Sequence, residues 1–213
     1  MLSNIKCTLC SSDSSYISTF RGKKYYRCPR CRAVLMDPAD HVTFSEEKER
    51  YDQHKNDVND PGYQNFVRPM VEEIKKNHSS TAGGLDYGAG PGPVASFMLK
   101  ESGYNNVNLY DPFYHKDSSV LKQKYDFIIC SEVVEHFREP ALEFEKLQSI
   151  LLPKGSLFIM TEIYSEEIDF EQWHYKNDPT HVIFYSQETF FWIKSCYKFN
   201  YLAINKRLIH FRF

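Results

Sequence analysis

The 213-residue chain has no long hydrophobic run; its longest, such as Phe127–Cys130 and Leu157–Met160, are far too short to cross a bilayer. Its first ten residues hold Lys6 but no apolar stretch of the kind an export signal needs. A dominant charge is also lacking: 26 Lys and Arg stand against 28 Asp and Glu, so no global field draws in nucleic acid. These absences predict a soluble, cytoplasmic protein with no membrane partner. Glycine is scarce, at nine residues, yet three of the nine fall within Gly88–Gly92. Cysteine is limited to six residues, four of them in two pairs near the N-terminus. What the chain has is a hydrophobic content of 42% and an aromatic content of 15%, which suit a packed core and pockets for flat ligands. Its length fits one α/β domain plus a small appendage.

Residues 85–92 read Leu-Asp-Tyr-Gly-Ala-Gly-Pro-Gly, and a helical pattern (Val94, Phe97, Met98) follows at once. The pattern predicts a buried strand turning sharply into a helix. Glycine allows positive φ and lets a ligand touch the main chain. The helix N-terminus adds free N–H groups and a positive dipole end. An ordinary tight βα turn is the alternative. The spacing Gly88-x-Gly90-x-Gly92, with Asp86 two residues ahead, resembles motif I of the class I S-adenosylmethionine (SAM) methyltransferases.

From Gly83 onward, strand and helix patterns alternate. Strands are predicted at Gly84–Tyr87, Asn106–Tyr110, Tyr125–Cys130 and Gly155–Thr161, and helices at Pro93–Ser102, Pro140–Leu151 and Gln187–Tyr197. The chain closes with Tyr201-Leu-Ala-Ile, a turn at Asn205-Lys206 and a second strand, a β-hairpin rather than another βα unit. A dinucleotide-binding fold continues with parallel strands, whereas the class I methyltransferase fold ends in such a hairpin. The resemblance covers residues 83–213. It implies an α/β, Rossmann-like methyltransferase sheet with helices on both faces and a C-terminal antiparallel hairpin; the N-terminal cysteine pairs add a small zinc ribbon ahead of it. Three regions are expected: the ribbon at 1–36, a linker and helical lid at 37–78, and a SAM-binding domain at 79–213.

The resemblance also implies roles. Asp86, Gly88, Gly90 and Gly92 would cradle the cofactor. Asp111, at the end of the second strand, would accept its ribose hydroxyls as a bidentate acceptor, with Pro112 and Phe113 beside it. Only fourteen residues, Pro112–Tyr125, separate Asp111 from Asp126, where the family usually fits a helix, a strand and another helix. The usual adenine-reading acid therefore has no obvious counterpart; Phe113, Tyr114 or Asp117 would have to serve. Ser131-Glu132-Val133-Val134-Glu135-His136 resembles motif IV, beside the methyl group to be transferred. Ser131 and Glu132 would touch the cofactor, while His136, Glu132 and His181 are the catalytic candidates. Glu132, Glu135, His136 and His181 also resemble the Mg2+ or Mn2+ ligands of small-RNA 2′-O-methyltransferases, although many small-molecule methyltransferases carry the same run without a metal.

The spacing Cys7-x2-Cys10, seventeen residues, Cys28-x2-Cys31 is that of a four-thiolate zinc site. Residues 1–36 carry seven cations against the single acid Asp13, a basic face with a net +6 from side chains. Such a face can grip a phosphate backbone or simply be solvated. Cys130 and Cys196, in apolar segments, read as reduced core residues. In the connector, Ser45–His54 is predicted to be a short helix with Ser45 as N-cap, and Tyr63–Asn77 an amphipathic helix kinked by Pro69. Tyr51, His54 and Tyr63 are lid candidates, and His174 and Asp178 substrate-facing candidates on a long loop.

The expected function is SAM-dependent methyl transfer to a small or medium metabolite, with structural Zn2+ in the ribbon. Two alternatives stand beside it: an RNA methyltransferase holding RNA through the basic ribbon, and a non-catalytic SAM-binding or interaction module.

Overall fold

The computed structural model describes residues 4–53 and 57–213. The N-terminal part is a ribbon of short strands: β1 (Ile5–Lys6), β2 (Asp13–Phe20), β3 (Lys23–Arg27) and β4 (Val34–Met36). The β2–β3 turn is Arg21-Gly22, both at positive φ, which matches the strand twist of a tight hairpin. Next come helices α1 (Phe44–Asp52) and α2 (Pro61–Asn77). The α/β part follows as β5 (Gly84–Tyr87), α3 (Val94–Glu101), β6 (Val107–Tyr110), β7 (Tyr125–Ser131), α4 (Pro140–Ser149), β8 (Leu151–Met160), β9 (Ile183–Phe184), α5 (Gln187–Cys196), β10 (Tyr201–Asn205) and β11 (Leu208–Arg212).

The main sheet has strand order β10-β11-β8-β7-β5-β6. Strands β6, β5, β7 and β8 run parallel, and β11 enters antiparallel between β8 and β10, as the expected hairpin requires. Alternation along the strands splits the core in two. Phe127, Ile129 and Phe158 pack with Val67, Met70, Val71 and Ile74 of α2 and Leu99 of α3. Ile128, Leu157 and Ile159 pack on the other face with Phe144 and Leu147 of α4 and Phe190 and Ile193 of α5. Burial on both faces explains why these strands read as continuous apolar runs.

Between β6 and β7 the expected shortening is complete: only a 3-10 turn at Ser118–Lys122 intervenes, and β6 is left as the sheet edge. The ribbon is not a free appendage. Its sheet runs β1-β2-β3-β4-β9, so its last strand is completed by Ile183 and Phe184 from far down the chain. Met36 N adds a bond to Val182 O at 2.9 Å.

Several local expectations are corrected. The N-cap of α1 is Thr43, not Ser45: Thr43 and Glu46 form a reciprocal capping box, which sets the cap two residues earlier. Pro69 lies inside α2 as expected; it and Asn65, whose carbonyl loses its helical donor, both face solvent. Cys130 is buried, but Cys196 is exposed at the last turn of α5. No helix among the described residues is long and apolar enough to cross a membrane.

Candidate active site

The carboxyl ends of β5, β6 and β7 open into one cavity of about 1140 Å3. Part of its wall is the turn after β5. Gly88 and Gly90 hold φ values of 78° and 62°. A Cβ added at Gly88 would stand 2.5 Å from Val133 Cγ2, so neither conformation nor space admits a side chain there. Some of the main-chain donors of the turn are already engaged. Gly88 N and Ala89 N donate to Tyr110 O at 2.8 and 3.1 Å, Gly90 N to Asp111 Oδ2 at 3.0 Å, and Val94 N to Gly92 O at 2.9 Å. Pro91 and Pro93 have no N–H to give. The turn is thus tied to the end of β6, while Gly92 N, on the cavity wall, has no backbone acceptor among the described residues.

Asp111 is the brace of that arrangement. Its Oδ1 accepts from Phe113 N at 2.8 Å and Tyr114 N at 3.0 Å, besides the Gly90 bond on Oδ2. Three lone pairs are spent on backbone, leaving one on Oδ2, so the bidentate role expected of this carboxylate does not fit its partners here. Asp86 is buried beneath, accepting from Ser96 Oγ at 2.6 Å, and burial lifts its carboxyl to about 6. Pro112, Phe113 and Tyr114 line the cavity. Asp117 does not; its Oδ1 caps the following turn at Ser119 N, 2.9 Å away.

Beyond β7, Glu132 takes φ 52°, an uncommon value for a side-chain-bearing residue. This turns Glu132 toward Arg207, whose guanidinium lies 3.3 Å from Oε2. The Tyr175 hydroxyl lies 3.2 Å from the same Oε2, 3.2 Å from Thr161 Oγ1, and in a short hydrogen bond with Glu135 Oε1. Burial raises both carboxyls above their usual range, and Glu135 is raised further by the charge of Glu132. Glu132 Oε1, Glu135 Oε2 and Ser131 Oγ are buried with no hydrogen-bond partner. His136 Nδ1 lies 3.1 Å from Thr180 O and His181 Nδ1 2.7 Å from Tyr175 O. A carbonyl only accepts, so each Nδ1 carries the proton and each Nε2 the lone pair. Desolvation, then the neighbouring His181, pushes the His136 pKa down and keeps the ring neutral. The rings are 4.7 Å apart. Glu135, His136 and His181 bring one donor atom each within 4.8 Å of one another; Glu132 lies outside that group.

Helix α1 covers part of the chamber. Tyr51 packs its ring on His136 at 5.3 Å and on Phe113 at 5.8 Å. Arg50 holds Asp178 at 2.9 Å, and Arg138 holds Glu47 at 2.7 Å. Tyr51, Tyr63 and Asp178 all line the cavity. His174 does not: the 3-10 turn at His174–Asn177 points Tyr175 inward and leaves His174 exposed beside Glu162. His54 lies outside the described residues.

The four ribbon cysteines converge, with Cys7 and Cys31 sulfurs 3.5 Å apart and Cys10 and Cys28 sulfurs 3.3 Å apart. The two knuckles repeat one geometry. Ser11 N donates to Cys7 O and Arg32 N to Cys28 O, and Ser11 and Arg32 take φ 60° and 65°. Tetrahedral zinc with Zn–S near 2.3 Å needs sulfurs roughly 3.8 Å apart, within a small adjustment of this set.

Sequence reasoning missed Tyr175, Arg207 and a second polar group of Tyr87, Glu143 and Lys146 in the same cavity. Tyr175 and Arg207 take their meaning from partners distant in the chain, and Tyr175 stood in the sequence only as one aromatic of the long loop.

Residues 61–203 match the family model described as "Methyltransferase domain". Over 96 residues the chain is 27% identical to the ubiquinone biosynthesis O-methyltransferase of Histophilus somni, 43% of this chain and 40% of that one. It is 32% identical over 92 residues to that of Serratia proteamaculans, 43% and 38% of the respective chains. The chain therefore spans about two fifths of the length of these curated relatives. In fold it resembles the Burkholderia thailandensis 1,6-didemethyltoxoflavin-N1-methyltransferase, solved with 1,6-didemethyltoxoflavin and S-adenosylhomocysteine. The TM-score is 0.57 at 12% identity, over 93% of this chain and 98% of that one.

Proposed function

The chain belongs to this methyltransferase-domain family, and from that premise we propose that it transfers a methyl group from SAM to a small or medium metabolite. The observation that carries the reading is a single aromatic-lined chamber. It holds the glycine turn, the acidic and basic pair Glu132 and Arg207, and two imidazoles, of which His136 is held neutral. The residues fit the cofactor. Gly88, Gly90 and Gly92 all line the cavity, so the turn presents main chain rather than side chains to a ligand. Glu132 Oε1 and Ser131 Oγ, buried without partners, are acceptors for an α-ammonium, and Arg207 is a donor for its carboxylate. Asp111 Oδ2 keeps one lone pair for a ribose hydroxyl.

Bound there, SAM supplies an already activated methyl on a sulfonium, so alignment and exclusion of water account for most of the acceleration. Tyr51 and Tyr63 roof the chamber and exclude water. His136, neutral and with its lone pair on Nε2, takes the acceptor's proton. Thr180 O and Tyr175 O fix the tautomers of His136 and His181. Glu132 and Glu135, joined through the Tyr175 hydroxyl, hold a proton between them.

The ribbon's cations are largely spent within the chain, which counts against an RNA grip. Lys6 pairs with Asp13, Lys24 with Asp37 and Asp40, and Arg27 and Arg32 with Glu166, while Lys23 donates to Pro179 O. The four thiols hold structural Zn2+ in this reading, and the regions 1–36, 37–78 and 79–213 act as ribbon, lid and cofactor domain. Glu135, His136 and His181 are the donors that would hold Mg2+ or Mn2+; activity abolished by chelator and restored by Mn2+ would replace the proton-transfer role with a metal one.

The test is transfer of labelled methyl from SAM into fractionated host extract. Label in the low-molecular-weight pool is expected. Label in a nuclease-sensitive macromolecular fraction would overturn the metabolite reading, and absence of any SAM binding in a titration would favour a non-catalytic module.

A further inference from the structure

The missing adenine reader poses a concrete question about this cavity. Strand β6 is the sheet edge, and the fourteen residues that lead to β7 bring no carboxylate to the cavity. Their one acid before β7, Asp117, caps Ser119. A flat, polar base would need both an aromatic wall and an ordered pair of hydrogen-bonding groups from elsewhere in the chain.

The ends of β5 and β6 supply the wall, and helix α4 the polar pair. Tyr87 and Tyr110 lie with ring centroids 5.2 Å apart and planes 31° from one another, and both line the cavity. Tyr87 donates its hydroxyl to Glu143 Oε2 at 2.5 Å. Lys146 Nζ donates to Glu143 Oε1 at 2.9 Å and to the Tyr87 hydroxyl oxygen at 3.2 Å. Glu143 and Lys146 reach the cavity too. None of these three groups is needed for the methyl-transfer chemistry above. Their inventory is also incomplete: each Glu143 oxygen keeps a lone pair, and Lys146 has three donors with two engaged.

We propose that Glu143 and Lys146, held by Tyr87, read the six-membered edge of the cofactor's adenine in place of the missing strand. This rests on the cofactor reading above. The chemistry is ordered. A carboxylate oxygen beside an ammonium presents an acceptor next to a donor. Adenine presents an amino donor next to the N1 acceptor, which matches. Hypoxanthine presents a carbonyl acceptor next to an N1–H donor, the reverse order, and meets like against like at both positions. A site built on such a pair rejects the reversed edge strongly, because its own groups are left unpaired.

The test is isothermal titration of the full chain with S-adenosylhomocysteine and with S-inosylhomocysteine. The native protein is expected to prefer the adenine compound by about tenfold or more. In Glu143→Gln the side-chain amide can turn either its oxygen or its NH2 to the base, and the preference is expected to shrink to within roughly threefold. Tyr87→Phe, which frees the carboxylate without changing its charge, is expected to reduce it as well. The ratio is measured on one folded population, so partial misfolding alters stoichiometry and not preference. Equal binding of the two compounds by the native chain, or full preference retained in both variants, overturns the assignment. Binding of neither compound by the native chain overturns the cofactor reading itself, a distinct outcome.

Discussion

The ribbon gathers its four sulfurs from the 25 residues Cys7–Cys31, whereas the chamber gathers its two imidazoles from His136 and His181, 45 positions apart. The ribbon repeats one knuckle twice, each closed by its own backbone bonds and each ending in a left-handed residue. In the chamber nothing repeats. Glu132 and Glu135 are oriented by Tyr175, His136 by Thr180 and His181 by Tyr175 again, all through bonds to the segment between β8 and β9, which carries one short 3-10 turn. A locally built site depends on its ligand for order, and an assembled one depends on its neighbours. The two should therefore fail differently when perturbed.

The largest effect is expected in the ribbon. Cys28→Ser should release zinc and lower the melting temperature by roughly 10 °C or more, since binding a structural zinc contributes on the order of 10 kcal/mol. Metal analysis together with thermal unfolding checks it; a variant with unchanged metal content and melting point would show that the thiols do not share an ion. In the chamber, the matching change should spare the fold. His136→Gln is expected to slow turnover by about 100- to 10,000-fold, with S-adenosylhomocysteine affinity and melting temperature nearly unchanged. An undiminished rate would remove the imidazole from proton transfer.

Asp86 sharpens the contrast through pH. Its folded carboxyl titrates at about 6 against a starting value of 3.8, so the ligand-free folded state binds the proton more tightly than the unfolded chain. Ionising it costs stability, and that cost is fully present above pH 6 and fades as pH falls toward 4. Asp86→Asn removes the cost. It should stabilise the ligand-free protein by about 3 kcal/mol at pH 8 and roughly half as much at pH 5, read from denaturant unfolding. A gain that does not change with pH would contradict this. The smallest effect is expected at the lid. Arg50→Ala breaks a pair with Asp178 whose arginine is about one-third exposed, so stability should fall by less than about 1 kcal/mol. Acceptor KM should rise several-fold with kcat nearly constant; an unchanged KM would mean that the latch does not hold the roof.

What could be seen in the sequence follows the same division. The cysteine spacing, the glycine turn and the apolar strands are local patterns, and the sheet with its closing hairpin came out as expected, including the gap between β6 and β7. The strand pairing of Val34–Leu35 with Ile183–Phe184 was not visible, because two-residue strands carry no periodicity. Asp111 shows the limit at a single residue. Its place at a strand end was readable, but its three backbone donors were not, and they decide how much of the carboxylate remains for a ligand. His174 and Tyr175 differ only in which way one short turn faces, a choice made by Glu132, Glu135 and Thr161 in the segments that follow β7 and β8.

The borrowed strand β9 makes the molecule poorly modular. A truncated protein that begins after Met36 would not be a smaller enzyme. It would expose the open edge of Ile183–Phe184, two buried apolar residues in a chain that is then free to pair with its own copies. It would also lose the Lys23 bond to Pro179 and the Met36 bond to Val182, the anchors on either side of His181. Attempts to express the cofactor domain alone should therefore yield aggregates, and any soluble remainder should be inactive because the loop bearing His181 has lost its mooring.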